Sequence, residues 1–321
     1  FYHWGIIQRI VGAFSWILRK CMNISGSEGL VASGNIFMGM TESPVLIKNY
    51  LPTMNRSEIF LVMVSGMGTI AGSVMGTYIG MLGGTDPASK VLFAKHLLSA
   101  SVMAVPGSIV LAKMLCPQTE PASDHAIGFE KEGRKSNILD AISSGTLTGV
   151  KLMTNIAAML LVFISLVALA NYITEGLIGR YTGLNDWIVK ITDGKAQGLT
   201  FQFILGVIAS PFMWLIGVPS QDIMLVGSLL GQKTILNEFV AYFQLQQWKD
   251  AGLFMYQKSV LMSTYILCGF ANISSIGILL GGLGVLAPEK RGLISRIGVP
   301  AMIGGALVSV LSATIIGMIL G

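Results

Sequence analysis

Two carboxylates lie in stretches of sequence that are otherwise apolar: Glu42 in "NIFMGMTESPVLI" and Glu238 in "KTILNEFVAY". A charge at the centre of a lipid bilayer costs at least about 2.5–3.5 kcal/mol, so intramembrane carboxylates are mostly retained for a function such as binding a polar ligand or carrying a proton. Two other interpretations stay open. Glu42 would then lie in a solvent-exposed loop, and Glu238 would lie at the membrane interface beside Lys233.

Amide and hydroxyl groups occur at similarly apolar places. Asn35 precedes Glu42 in the same stretch, and Thr69 belongs to a row of hydroxyls spaced for one face of a helix. The segment "GFANISS" puts Asn272 and Ser275 on one helix face or along a short unwound turn. Such groups bind ligands in some membrane helices, and in others they bond only to a nearby carbonyl or to a neighbouring helix.

The composition indicates which elements carry these side chains. Of 321 residues, 53% are hydrophobic and 12% are charged, and the mean hydropathy is +0.70, whereas soluble domains are about 25% charged. Five windows without Asp, Glu, Lys or Arg are long enough to cross a hydrocarbon core of about 30 Å as helices. Their continuous apolarity favours a helical bundle over a barrel. The windows are 59–85, 152–174, 196–221, 259–288 and 297–321, and a shorter window at 97–112 contains Pro106.

Other features of the sequence exclude several classes of protein. The net charge is +5 and the pI is 9.1, but the basic residues flank the apolar runs, which is typical of lipid-headgroup anchors rather than of nucleic-acid binding. The cysteines and histidines show no disulfide or metal-binding spacing. The sequence contains no phosphate-binding loop, dinucleotide fingerprint or catalytic motif. We therefore predict a polytopic membrane protein that is not an enzyme and has no cofactor.

Two apolar segments are interrupted by glycine, proline and polar residues, and each precedes a long helix with a polar centre. The first pair covers 27–51 and 57–82, and the second covers 199–234 and 263–286. A helix can break in hydrocarbon only where protein or water receives the freed backbone groups. Paired interruptions in two halves of a chain therefore indicate the midplane site of a secondary transporter. The alternative is ordinary helices joined by irregular loops.

Long motifs, in the same order over nearly the whole chain, resemble those of the concentrative nucleoside transporter family. They are "SGNIFMGMTESPVLIKNYL", "GTIAGSVMGTYI", "IGVPSQDIMLVG", "KTILNEFVAY" and "CGFANISSIGI". The resemblance implies an all-α polytopic membrane protein with two inverted repeats, re-entrant helical hairpins, discontinuous transmembrane helices and an elevator-type mechanism. It also implies a homotrimer in the lipid bilayer of a plasma membrane, most simply a bacterial inner membrane.

The same resemblance divides the chain into four parts. Residues 1–24 form a scaffold helix, and residues 25–116 form the first part of a transport domain, with the first hairpin and two helices. Residues 117–195 hold a polar, amphipathic segment and a scaffold transmembrane helix, and residues 196–321 form the second part of the transport domain. Because the sequence begins at Phe1 rather than at a methionine, we expect the family's N-terminal helices to be missing from it.

The resemblance further implies one site for nucleosides such as uridine and adenosine and one for Na+ as the coupling ion. The residues beside the nucleobase would be Met40, Thr41, Glu42, Ser73, Val74 and Phe270. Those that hydrogen-bond the ribose hydroxyls would be Glu238, Asn272 and Ser275. The Na+ ligands would be the side chains of Asn35 and Thr69 and the carbonyl oxygens of Met38 and Ile70.

These residue types suit the implied ligands. A carboxylate and an amide can clamp adjacent ribose hydroxyls, which both donate and accept hydrogen bonds. Many family members have Gln where this chain has Met40, whereas Ser73 with Val74 resembles the broad-specificity pattern, so the base preference stays open. Three alternatives also stay open: symport coupled to H+, transport of another polar solute on the same architecture, and binding without transport.

Overall fold

The computed structural model describes residues 6–121, 138–192, 194 and 196–321, and all regular elements in these ranges are helical. The predicted all-α class is thereby confirmed for the described residues. Residues 122–137 of the predicted polar segment and residues 1–5 of the predicted scaffold helix lie outside these ranges. The α-helices are α1 Ile6–Met22, α2 Gly26–Gly34, α3 Arg56–Gly68, α4 Gly72–Gly83, α5 Pro87–Leu115, α6 Ile138–Asn171, α7 Arg180–Thr182, α8 Leu184–Ile191, α9 Phe201–Leu215, α10 Ile223–Ile235, α11 Glu238–Asp250, α12 Gln257–Leu267, α13 Ile273–Leu286 and α14 Arg291–Ile319.

Tighter and wider helical turns connect some of these helices. Short 3-10 segments at Ser43–Ile47 and Leu51–Thr53 replace the second helix that a simple hairpin over 27–51 would have. Each of the two segments contains a proline near its start, where proline is tolerated because the first N–H groups of a helix have no intrahelical partner. A π-helical stretch, Tyr172–Gly179, continues α6, and a 3-10 turn precedes α14.

Three stretches of the described residues are long and apolar enough to cross a membrane: Arg56–Gly83, Pro87–Leu115 and Pro288–Ile319. The first of them comprises two helices, α3 and α4. The predicted window at 97–112 is part of α5, a helix of 29 residues that continues through Pro106. The proline therefore interrupts one hydrogen bond of α5 without ending the helix.

The chain divides into two compact units. The first comprises residues up to Thr148 together with Cys268–Ser312, and the second comprises Gly149–Leu267 and Ala313–Gly321. In the first unit α2 packs against α1 and α3, and α5 packs against α3 and α4. In the second unit α9 packs along α10, and both α10 and α11 contact α12.

Helix α2 is buried along its whole length, and its N-terminal backbone groups are capped. Ser25 and Glu28 form a capping box, in which the Ser25 N–H donates to the Glu28 carboxylate at 2.9 Å and the Glu28 N–H donates to the Ser25 hydroxyl at 3.3 Å. The same carboxylate forms an ion pair with Lys113 near the end of α5. Because removing one partner would leave an uncompensated buried charge, this pair stabilises the position of α2 against α5.

Helices α9 and α10 are joined by a turn at 216–222. Gly217 has a φ of 81°, a conformation that glycine adopts without strain. The buried carboxylate of Asp222 accepts backbone hydrogen bonds from Met255 at 3.0 Å and from Tyr256 at 3.1 Å. These bonds hold the turn against the segment that leads into α12.

Candidate functional site

The helix predicted over 57–82 is interrupted near its middle. Helix α3 ends at Gly68 and α4 begins at Gly72, and Thr69 between them is extended, with φ −119° and ψ 166°. We call residues 69–71 the first break. A break of this kind frees backbone donors and acceptors that an apolar environment cannot satisfy, so other parts of the protein must receive them.

A second interruption occurs between α12 and α13. Helix α12 ends at Leu267 and α13 begins at Ile273, and we call residues 268–272 the second break. Its Gly269 lies so close to the last turn of α3 that an added Cβ would come within 2.9 Å of the Met67 carbonyl oxygen. A side chain there would clash with backbone, so only glycine permits this approach.

The freed backbone groups of the first break are bonded within the first unit. The carbonyl oxygen of Thr69 accepts a hydrogen bond from the N–H of Phe270 in the second break at 3.2 Å. The N–H of Gly72, at the start of α4, donates to the carbonyl oxygen of Phe37 at 3.2 Å. The two breaks and the turn that follows α2 are therefore neighbours in space.

Asn35 ends α2 and is completely buried. Its amide nitrogen donates to the Ser65 hydroxyl at 3.0 Å, and that hydroxyl donates to the Val62 carbonyl oxygen at 3.1 Å. The amide oxygen Oδ1 is buried too, and it receives no hydrogen bond from the residues that the structure describes. A buried acceptor without a donor costs about 1–3 kcal/mol, so this atom marks a place for a cation or a water molecule.

Thr69 connects to the same point through Ser65. The Thr69 hydroxyl donates to the Ser65 carbonyl oxygen at 2.9 Å, which leaves its own oxygen lone pairs available to a ligand. Ser65 thus bonds Asn35 through its hydroxyl and Thr69 through its carbonyl. Met38 lies in the turn after α2, and Ile70 lies buried in the first break. The structure therefore brings Asn35 and Thr69 together, as the predicted cation site requires.

The turn after α2 carries three of the residues predicted to contact the nucleobase. Met40 is buried against Gly66 of α3, where an added Cβ would lie 2.9 Å from the Met40 Cβ. Thr41 and Glu42 are exposed, and the Glu42 carboxylate accepts a hydrogen bond from the Gly39 N–H at 3.2 Å. Glu42 thus bonds only loosely to its own turn and can reach a ligand.

Other predicted residues of the nucleobase site lie on the elements around this turn. Ser73 is exposed and Val74 is buried in the first turn of α4, and Phe270 is half-buried in the second break. Thr41 approaches α13, because a Cβ on Gly282 would lie 3.4 Å from the Thr41 methyl group. The first break, the second break and the α2 turn therefore surround a common region within the first unit.

Asn272 is the N-cap of α13. Its amide oxygen accepts hydrogen bonds from the Ser274 hydroxyl at 2.6 Å, the Ser275 N–H at 2.9 Å and the Ser275 hydroxyl at 3.0 Å. Asn272 thus ends the unwound turn rather than sharing a helix face with Ser275. Its oxygen is thus bonded to α13, and its amide nitrogen carries the hydrogen-bond donors of this side chain.

In the second unit, Glu238 is the first residue of α11, and the N-cap Asn237 accepts a hydrogen bond from the Val240 N–H at 2.9 Å. Glu238 is 7% exposed, and the positive end of the helix dipole stabilises its carboxylate. Lys233 is 0% exposed, and its amine donates to the Ile266 carbonyl oxygen at 2.8 Å. Both side chains are therefore buried within the protein.

Sequence reasoning missed two partners of α12. Besides the Lys233 amine, the Tyr242 hydroxyl donates to the Thr264 carbonyl oxygen at 2.9 Å. A signal for Lys233 was present, since it is the only charged residue between Asp222 and Glu238. The rule that singles out intramembrane carboxylates applies equally to an intramembrane amine.

Among the described residues all regular elements are helical, apolar stretches reach membrane length and two broken helices meet. These features define a class, the helical membrane transporters with discontinuous helices. Within this class, the chain belongs to the Na+ dependent nucleoside transporter family. The family description "Na+ dependent nucleoside transporter C-terminus" matches residues 96–317, and "Nucleoside recognition" matches residues 1–85. This result confirms the family predicted from the motifs, and with it an integral membrane protein of a transporter family rather than an enzyme.

Known proteins resemble the whole chain. It is 38% identical to Sodium/nucleoside cotransporter 1 of Rattus norvegicus, over 99% of this chain and 48% of the rat protein. It is 39% identical to the uncharacterized transporter YutK of Bacillus subtilis, over 99% of this chain and 73% of that protein. The structure of CNTnw in an inward-facing substrate-bound state aligns with a TM-score of 0.86 at 35% identity, over 99% of this chain and 70% of CNTnw. The chain thus spans about half the length of the rat relative.

Proposed function

We propose that the protein imports nucleosides by symport with a cation, and that the cation is Na+. The observation that carries this proposal is the amide oxygen of Asn35, which is buried beside the first break and lacks a donor. The similarity to sodium/nucleoside cotransporters supports Na+ as the ion.

The proposed cation site consists of oxygen atoms only. Two are side-chain atoms, Asn35 Oδ1 and Thr69 Oγ1, and two are the main-chain carbonyl oxygens of Met38 and Ile70. Unwound backbone and helix C-termini supply such carbonyls to Na+ in transporters with broken helices. The donor set fits, since Asn35 ends α2 and Thr69 ends α3, so both residues lie at negative ends of helix dipoles.

The proposed nucleoside site lies beside the cation site. Met40, Thr41 and Glu42 would contact the base, and they follow Asn35 in the same turn. Base contacts would also come from Ser73, Val74 and Phe270. Hydrogen bonds to the ribose would come from Glu238, Asn272 and Ser275.

This arrangement offers a physical basis for coupling. One turn, from Asn35 to Glu42, would contact both the cation and the nucleobase. A cation bound to Asn35 Oδ1 would order this turn before the nucleoside binds. The nucleoside would then bind with a smaller loss of conformational entropy, because the turn is already ordered. Empty and fully loaded forms would then be favoured over the half-loaded forms.

We further propose the architecture that the family resemblance implies. Residues 25–116 and 196–321 would form a transport domain of two inverted repeats with re-entrant hairpins, and residues 1–24 and 117–195 would belong to a scaffold. The transport domain would move as an elevator against the scaffold in a homotrimer. The site of action would be the plasma membrane, most simply the inner membrane of a bacterium.

The test is uptake of tritiated uridine and adenosine into proteoliposomes that contain the full protein. We expect an inward Na+ gradient to drive uptake, and choline in place of Na+ to abolish it. A parallel series with a pH gradient tests H+ as the coupling ion, and uptake that follows the pH gradient instead would replace Na+ in the proposal. Folded protein that takes up neither nucleoside under any gradient would refute nucleoside symport.

A further inference from the structure

Lys233 is a buried amine that the proposed transport cycle does not use. It lies near the end of α10 with 0% of its surface exposed, and its Nζ donates to the Ile266 carbonyl oxygen at 2.8 Å. Ile266 belongs to the last turn of α12, directly before the second break. A lysine that is fully buried in an apolar protein is costly, and it needs a specific counterpart.

The end of α12 supplies one such counterpart. A helix leaves its last carbonyl groups without intrahelical donors, and its C-terminus carries a partial negative charge. Two side chains from the neighbouring helices donate to these carbonyls, Lys233 from α10 to Ile266 and Tyr242 from α11 to Thr264. Of the two, only lysine brings a positive charge to the broken end.

The corresponding end of α3 has a different arrangement. There, the Thr69 hydroxyl donates to the Ser65 carbonyl oxygen, and the nearby Asn35 Oδ1 receives no hydrogen bond from the described residues. No described lysine or arginine donates to either residue. The first break thus presents an acceptor that an outside cation can fill, whereas a side-chain amine already lies at the second break.

We propose that the Lys233 ammonium is a tethered cation at the C-terminal end of α12, where the chain enters the second break. The covalently attached ammonium group occupies the position at the C-terminus of the broken helix that a free monovalent cation would otherwise occupy. The second break therefore binds no Na+ in the native protein, and Na+ acts only through the first break. The effect of Lys233 on Na+-driven nucleoside uptake rests on the proposed function. Its effect on Na+ binding can be measured without transport.

The first test uses thermal unfolding of the full protein in detergent, in NaCl and in choline chloride. Native protein is expected to gain about 5 °C from Na+ at about one hundred times its dissociation constant. Asn35→Ala is expected to lose about half or more of this gain, because no second Na+ site exists while Lys233 is present. An Asn35→Ala protein that keeps the full Na+ response would overturn the proposal, and this result needs no change at Lys233.

The second test removes the tethered charge. In Lys233→Met the emptied carbonyl site is expected to accept Na+, so the double variant Asn35→Ala Lys233→Met regains a Na+ response that Asn35→Ala lacks. Lys233→Arg retains a charge and is expected to behave as native protein. Tyr242→Phe is the matched control, because it removes a donor to the same helix end without removing a charge.

In transport, Lys233→Met is expected to need one more Na+ per nucleoside than native protein, with a steeper dependence of uptake on Na+ concentration. A folded Lys233→Met protein with native Na+ dependence and no new Na+ response would overturn the tethered cation. Failure of nucleoside uptake in every variant, with the Na+ responses as expected, would instead count against the proposed function.

Discussion

The two breaks solve the same backbone problem with different chemistry. At the first break, α3 ends in Thr69, and the buried Asn35 Oδ1 nearby receives no hydrogen bond from the described chain. At the second, Lys233 donates to the last turn of α12, and Asn272 caps the start of α13. The difference suggests that one broken helix is completed by a ligand and the other by the chain itself. The first would then respond to ion concentration, and the second would remain constant.

The largest expected effect comes from removing the unsatisfied oxygen at the first break. Asn35→Ala is expected to raise the Na+ concentration for half-maximal uptake about 10- to 100-fold, the equivalent of about 1.4–2.7 kcal/mol, because it deletes a cation ligand. The measurement is uridine uptake against Na+ concentration. Ser33→Ala is the control, since the Ser33 hydroxyl is also buried on α2 without a partner among the described residues. Equal effects of both variants would show that Asn35 acts only through packing.

The second-largest expected effect is a loss of stability when a side chain is added where the two breaks pack together. Gly269→Ala places a methyl group against the Met67 carbonyl oxygen and is expected to destabilise the protein by about 1–3 kcal/mol, as overpacking generally does. Thermal unfolding in detergent measures this loss. Gly277→Ala on α13 is the control, because nothing lies within 4 Å of its added Cβ. If both alanines were tolerated equally, the breaks would not be held as closely as the structure indicates.

Asn272→Asp separates capping from ligand binding at the second break. Aspartate is as good an N-cap as asparagine, so the cap of α13 is retained while the amide donors are lost. We expect affinity for uridine to fall about 10-fold, as for the loss of one hydrogen bond to a ligand of this kind. Calorimetric titration measures the affinity, and Asn272→Ala shows the added cost of losing the cap. Unchanged uridine affinity in Asn272→Asp would exclude Asn272 from the ribose site.

The smallest expected effect is that of Tyr242→Phe. This change removes one neutral hydrogen bond to the Thr264 carbonyl oxygen and is expected to cost about 0.5–1.5 kcal/mol of stability. The Na+ dependence of uptake should stay native, because no charge is lost. A change in Na+ dependence would mean that any donor to α12, charged or neutral, influences the cation, and the contrast between the two breaks would then disappear.

The helical class could be predicted from the sequence because long apolar windows are local signals, and the transporter family was predicted through the resemblance of the long motifs. The apolar windows predicted long helices over 57–82 and 263–286, whereas the structure breaks both of them. The sequence also singled out Asn35 and Thr69 as neighbours, through the resemblance. The bond from Lys233 to Ile266 could not be predicted, because it joins residues that are distant in sequence and depends on how α10 packs on α12. The ion pair of Glu28 with Lys113 was missed for the same reason.

The most direct measurement is the number of Na+ ions moved per uridine, from the membrane potential at which net uptake by proteoliposomes reverses. We predict one Na+ per uridine in the native protein, because Na+ would bind at the first break and the Lys233 ammonium would take its place at the second. A ratio of two or more would contradict this division, because the second break would then have to be an ion site as well. A ratio of zero would contradict the role of Asn35 at the first.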